Sequence, residues 1–246
     1  MKEKQSIEFK GDKVIINTVT HTGVRDDVLG SPIPKDSIVI DVGCKQGYWW
    51  ADILDEVREG LFKICIDPMD SLPEGFYADN THAVEYFKCA VGIEDKDEVT
   101  FYDLAEPGCN SLLKPTPQLE AVLGPAGLSE IPQEIKVKQR RLDTILDGIN
   151  FPFEVNEIFY LKTDCQGADL SVVKSMGDYL KKTKYIEMEV TLDPTEDEPH
   201  TFYLEQDNNV NEVINQLHEI GNFEVVDFLP FPASPFPEGM ILFKQQ

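Results

Sequence analysis

The segment Asp41-Val-Gly-Cys-Lys-Gln-Gly47 has the residue types and spacing most suited to holding a ligand. It follows the β-branched run Ile38-Val-Ile-Asp-Val42 and precedes a stretch of helical character from Tyr48 to Val57. Glycines at such a turn let the backbone bend sharply and approach a ligand with no Cβ in the way. The helix N-terminus beyond it presents free N–H donors and the positive end of a dipole, which suit a carboxylate. The spacing is G-x-x-x-G. Dinucleotide enzymes use G-x-G-x-x-G, whose middle glycine makes room for pyrophosphate, and Lys45 stands in that place here. A second acid, Asp67, ends the next apolar run, Phe62-Lys-Ile-Cys-Ile66. A carboxylate there can accept both hydroxyls of a ribose, although an Asp before Pro68 also forms turns. The two pieces together point to a nucleoside site.

A third acid carries the candidate reaction chemistry. Asp164 follows the strand-like run Ile158-Phe-Tyr-Leu161 and precedes Gly167, which places it at the ligand-facing rim of a sheet. There it can act as a base, orient an ammonium group or ligate a divalent cation, or it can cap the helix starting near Ala168. Glu187 and Glu189 alternate with Ile186 and Met188, and Glu189, nearer the rim, is a candidate substrate contact; a plain strand carboxylate is the alternative. His200 follows an acidic loop and is a candidate base, with a solvated loop histidine as the alternative. Asn110-Ser111 sits in a long Pro- and Gly-rich excursion over residues 103–134, as a substrate contact or a turn former.

These residues need a parallel sheet to bring them together, and the chain alternates strand and helix in the way that builds one. The first two strands are followed by candidates at Phe87–Val91, Val99–Tyr102, Ile135–Leu142, Ile158–Leu161 and Tyr185–Val190. Leu170–Leu180 and Val210–Ile220 have helical stripes, the latter closed by Gly221. Phe223–Leu229 and Met240–Phe243 are expected to form an antiparallel final pair. In an open sheet of this kind, ligands bind beyond the strand C-termini. The expected architecture is one α/β domain over 1–246: a mostly parallel central sheet with helices on both faces, a cap segment over 1–36 and a core over 37–246.

With 22 Lys and Arg against 45 Asp and Glu, the formal net charge is −23. Phosphate backbones are held chiefly by Lys and Arg, so no nucleic-acid partner is expected. No window approaches the run of about 20 apolar residues that a membrane span needs. The polar start Met-Lys-Glu-Lys-Gln-Ser is not a secretory signal, and a cytoplasmic location follows as the expectation. The five cysteines, at 44, 65, 89, 109 and 165, show no C-x-x-C pair, so no zinc site is expected.

The order and spacing of these blocks resemble the FkbM-type methyltransferases from about Ile38 to Val190. The likeness rests on Ile40-Asp-Val-Gly43 with Gly47, Asp67-Pro68, Ala90-Val-Gly92, Asn110-Ser-Leu112, Arg141-Leu-Asp-Thr144, Leu161-Lys-Thr-Asp164 with Gly167, and Ile186–Val190. It implies a Rossmann-like class I methyltransferase fold, S-adenosylmethionine as cofactor, and methyl transfer to a hydroxyl oxygen of a sugar, glycan or natural product. It also implies cofactor contacts at Asp41, Gly43, Gly47, Asp67, Ala90 and Val91; Lys45, on chemical grounds, can add a pairing with the methionine carboxylate. The chain departs from the family's D-x-G-A-N-x-G at Cys44 and Lys45, from its Glu-Pro at Asp67, and from its D-V-E-G-x-E at Gln166 and Asp169. Those last two changes suit a competing reading, a silent nucleoside-binding scaffold or sensor. A nicotinamide-dependent oxidoreductase is disfavoured by the missing G-x-G-x-x-G.

Overall fold

The computed structural model of the protein describes residues 6–10, 13–17, 33–34, 36–44, 61–69, 84–104, 107–119, 121, 123, 133–192, 202–231 and 237–246. The first strand of the core, β3 (Ile38–Val42), is buried at all five positions, and so is β4 (Phe62–Ile66). Continuous apolar runs of this kind belong to parallel strands covered on both faces. Outward from β3 lie β4 and β5 (Val84–Phe87), paired parallel. On its other side lie β9 (Ile158–Thr163) and β10 (Thr183–Thr191), also parallel. The sheet is completed by β12 (Glu238–Gln245) and β11 (Phe223–Pro230), both antiparallel, giving the order β11-β12-β10-β9-β3-β4-β5. The chain leaves β3 in one direction and returns beside it as β9. This reversal opens a crevice at the C-terminal ends of β3 and β9, where open α/β sheets bind ligands. A hairpin, β1 (Ser6–Lys10) with β2 (Lys13–Asn17), forms a separate sheet within the segment expected to be a cap.

A third sheet, β6-β8-β7, joins β6 (Ala90–Val91), β7 (Lys96–Asp103) and β8 (Gln133–Arg140). It divides the strand expected over Phe87–Val91. Lys88 and Cys89 break the run, so Phe87 ends β5 in the central sheet while Ala90 starts β6 in the small one. Strand β8 also stops before Leu142, which opens α1 (Leu142–Asp147).

Three helices pack on one face of the central sheet. Leu142 of α1, Leu170 and Val172 of α2 (Asp169–Lys174), and Val213 and Leu217 of α3 (Val210–Gly221) share a core with Ile38, Ile40 and Val42. The opposite face carries Val39, Phe159, Tyr160, Tyr185 and Leu242 with Ile33 and Leu61. The helix expected over 170–180 is interrupted after Lys174. Ser175 accepts the N–H groups of Leu142 and Asp143 at 3.0 Å each, capping α1 from outside, and Gly177 then turns at φ 55°. In α3, Asn209 accepts from Asn211 and Glu212 N–H, and the buried Val210, Val213, Ile214 and Leu217 follow the i, i+3, i+4, i+7 stripe. The left-handed stop is Asn222, φ 54°, rather than Gly221. Gly221 is glycine because a Cβ there would stand 2.4 Å from the Phe223 ring.

Candidate active site

Strand β3 ends where the start of the next loop meets the end of β9. Gly43 N–H donates to Ile66 O at 2.9 Å, and Asp164 N–H donates to Val42 O at 3.1 Å. Gly43 sits at φ 77°, and a Cβ on it would lie 2.0 Å from the carbonyl oxygen of Asp164. The first glycine of the turn therefore lets two strand ends close upon each other. Lys45 and Gly47 lie outside the described residues, as does His200.

Side chains of one pleat line up across three strands here. Register sets Asp41 beside Lys162, and Lys162 beside Glu187. The Lys162 ammonium lies 3.4 Å from Asp41 and 3.4 Å from Asp164. Burial opposes its charge, but Asp41, Asp164 and Glu187 more than offset this and hold it protonated above the ordinary lysine range. Burial pushes Asp41 above the ordinary carboxylate range, against the pull of Lys162. On the same pleat, Tyr160 OH donates to Glu187 at 2.8 Å.

Two carboxylates meet at the inner end of the crevice. The Gln166 side-chain amide donates to Asp164 Oδ1 at 3.0 Å and to Glu189 Oε2 at 2.9 Å. Asp164 keeps 35 % of its side chain exposed. Glu189 is buried, and burial, followed by the charges of Asp164 and Glu238, raises it well above the ordinary range. Tyr203 OH donates to Cys109 O at 2.7 Å and stands 3.3 Å from Gln166 Oε1. Tyr203 belongs to a small separate core with Leu104, Cys109, Leu119 and Phe202, which anchors the described part of the 103–134 excursion.

Asp169 lies behind this pair, at the start of α2. It is buried, accepts Cys165 N–H at 3.1 Å, and its Oδ2 has no partner among the described residues. Burial, then the charge of Asp164, pushes it up to about 7. The folded protein thus holds a proton that the unfolded chain, with a pKa of about 3.9, releases. That contribution to stability is fully present below the unfolded value, declines as pH rises and is lost through pH 7. Asp169→Asn keeps an acceptor for Cys165 and removes the charge. The variant is expected to exceed the native protein in unfolding free energy at pH 8 by at least about 1 kcal/mol, with the gap narrowing towards pH 5. Urea titrations at the two pH values measure it, and equal gaps at both would refute the assignment.

A cavity of about 1110 Å³ opens beyond these strand ends. Pockets for single drug-sized ligands run to roughly 1,000 Å³, so there is room for a cofactor and an acceptor together. Of the residues singled out from the sequence, Gly43, Asp67, Ala90, Val91, Asn110, Asp164 and Glu189 line it. Asp41 stands one layer back with Lys162. Ser111 is also set back: it is buried, and its hydroxyl donates to Gln166 O at 2.8 Å. Asn110 accepts Leu104 N–H at 2.7 Å and donates to Asp103 at 3.0 Å, which shapes the wall from within. Among the described residues no group of three or more His, Cys, Asp or Glu is arranged to hold a metal ion.

The lining suits an adenosyl cofactor. Asp67 directly follows β4 and lines the cavity, and its Oδ1 accepts Met69 N–H at 2.8 Å. Ala90 and Val91 give the cavity a small apolar wall, and Asp164 gives it a carboxylate. If Asp67 holds a ribose diol, Asp67→Ala removes charge-assisted hydrogen bonds worth about 1.5–3 kcal/mol each. Calorimetry with S-adenosylhomocysteine should show affinity reduced at least about tenfold in a folded protein; native affinity would return Asp67 to a turn role.

The family model of the FkbM methyltransferase domain matches residues 41–234, spanning both the Gly43 turn and the Asp164–Glu189 pair. No curated protein sequence matches the chain. A Streptococcus mutans protein solved in complex with SAH shares 10% identity over 94% of this chain and 100% of its own, with a TM-score of 0.47. An rRNA methylase from Streptococcus thermophilus shares 10% identity over 90% of this chain and 94% of its own, with a TM-score of 0.44. On the match over 41–234, the chain belongs to the FkbM methyltransferase family, with S-adenosylmethionine as its methyl donor.

Proposed function

We propose that the protein methylates a hydroxyl oxygen on a sugar, glycan or natural product. The observation that carries this reading is Asp164, a carboxylate open to the cavity and held from two sides, by Lys162 at 3.4 Å and Gln166 at 3.0 Å. A neutral alcohol is a weak nucleophile, and a base beside it raises the rate of transfer. The bound cofactor supplies an activated methyl group on sulfur. The protein aligns the acceptor oxygen and takes its proton, and Asp164 is the group that receives it. Glu189, raised by burial, serves as a proton-bearing donor to the acceptor. Asn110, Asp103 and Glu238 add polar groups to the same cavity, which matches a polyhydroxylated acceptor.

The test is transfer of labelled methyl from S-adenosylmethionine to a panel of sugars, glycans and hydroxylated natural products. Label in a base-stable ether supports the reading. Label only in base-labile esters, or none in any hydroxyl acceptor, overturns it. The net charge of −23 supports an acceptor other than nucleic acid. Submicromolar, salt-sensitive binding to a defined oligonucleotide would contradict that. Among the described residues no helix is long and apolar enough to cross a membrane.

A further inference from the structure

Gln166 has a backbone conformation that a glutamine rarely adopts and a side-chain amide whose two N–H groups are both engaged. Its φ is 51°, and Gly167 after it is at 95°. Left-handed backbone of this kind is paid for by Gly, Asn or Asp in most turns. Here bonds on all sides hold a glutamine in it. The backbone carbonyl accepts Ser111 Oγ–H at 2.8 Å, and Oε1 lies 3.3 Å from the Tyr203 hydroxyl. The two N–H groups of Nε2 go one to Asp164, at 3.0 Å, and one to Glu189, at 2.9 Å.

We propose that Gln166 is a positioning residue of the transfer site, a neutral double donor that joins Asp164 and Glu189 into one hydrogen-bonded unit and sets the direction in which Asp164 faces the acceptor. This rests on the reading of Asp164 as the base. Asp164 then has one oxygen on the Gln166 amide and the other on the Lys162 ammonium, so its plane is fixed from opposite sides. An amide is the side chain of this length that serves both acids at once. A glutamate at 166 has no N–H for either and adds a third carboxylate between them. The loop carrying Ser111 and Cys109, and the segment carrying Tyr203, hold the amide in place from behind.

Glu189 reports on this arrangement. The charged and titratable groups around it are Lys162 from β9 and Asp164 just after it, Asp169 from α2, Glu238 from β12, and the Tyr203 hydroxyl. Gln166 contributes the N–H that favours its ionised form. Carbon-13 NMR of carboxyl-labelled glutamate in the full chain follows its titration, with the signal assigned by Glu189→Gln. In Gln166→Leu the midpoint should rise by about one pH unit. Gln166→Asn tolerates the left-handed backbone but is too short to bridge both acids, so it should show the same rise in a protein whose fold is kept. Gln166→Glu should add a second raised step, coupled to the first. An unchanged Glu189 midpoint in folded Gln166→Asn, or a Gln166→Glu trace with no added raised step, overturns the proposal and leaves Gln166 a turn residue. Failure of the base assignment would appear instead as normal turnover in an Asp164 variant, with the Glu189 titration as predicted.

Discussion

Asp164→Asn is expected to lower methyl transfer by a factor on the order of 10²–10⁴, with S-adenosylhomocysteine affinity changed only mildly. The substitution preserves shape and keeps an oxygen for the Gln166 amide, but it removes the charge and the basicity. Two other roles make different predictions. If the carboxylate grips the cofactor ammonium, affinity and turnover fall together. If it caps α2, stability falls by about 1 kcal/mol and activity per folded molecule holds. The structure already gives the capping role to another residue: Asp207 accepts Leu170 N–H at 2.9 Å and Ser171 N–H at 2.8 Å, and Ser171 Oγ as well. Single-turnover transfer beside calorimetry, on the acceptor found by the panel, separates the remaining two. Undiminished turnover in the folded variant would remove Asp164 from the mechanism.

Gly43→Ala is expected to be the most damaging single methyl added near the site. The new Cβ would lie 2.0 Å from Asp164 O and 2.8 Å from its carbonyl carbon, both backbone atoms that cannot rotate away. The backbone at φ 77° adds its own cost for any residue with a Cβ. Overpacking costs about 1–3 kcal/mol and left-handed backbone about 1–2 kcal/mol, so a loss of roughly 3 kcal/mol is expected. Relief requires β3 and β9 to part, which displaces Asp164 and Asp67 relative to each other. Urea unfolding should show the stability loss, and cofactor binding should fail in whatever fraction remains folded. A variant with native stability would mean that the closure of the two strand ends is softer than its geometry implies.

The parts of this fold that could be read in the sequence are those set by local pattern. The β-branched run 38–42 and the run 62–66 match β3 and β4 residue for residue, and the Val210 helix begins where its stripe begins. The antiparallel pairing of the last two strands also holds. Misread boundaries lie where tertiary contacts decide. The helix from 170 stops because Ser175 is taken to cap α1, and Phe87–Val91 splits because its halves join different sheets. The site divides the same way. Gly43, Asp67 and Asp164 stand at strand ends that the sequence marks by itself. Lys162 looks like an intrusion in the apolar run Ile158–Thr163 until strand register sets it beside Asp41. Gln166 and Tyr203 are 37 residues apart, and no spacing rule connects them. A lysine interrupting a buried strand was the one available signal, since a buried cation requires acids nearby.

The order of the last two strands has a consequence for how the protein is made. β12 follows β11 in the chain yet lies between β11 and β10 in the sheet. During synthesis β11 emerges with no partner strand, while β10 waits with one bare edge. Neither can close until residues 238–245 have left the ribosome and slid in between them. In that interval the exposed strand carries Glu187 and Glu189, and charges on such a strand discourage pairing with a stray chain. Glu189, which lines the finished cavity, thus also guards the nascent sheet, and an acid-to-apolar replacement there would threaten yield during expression before it affected catalysis.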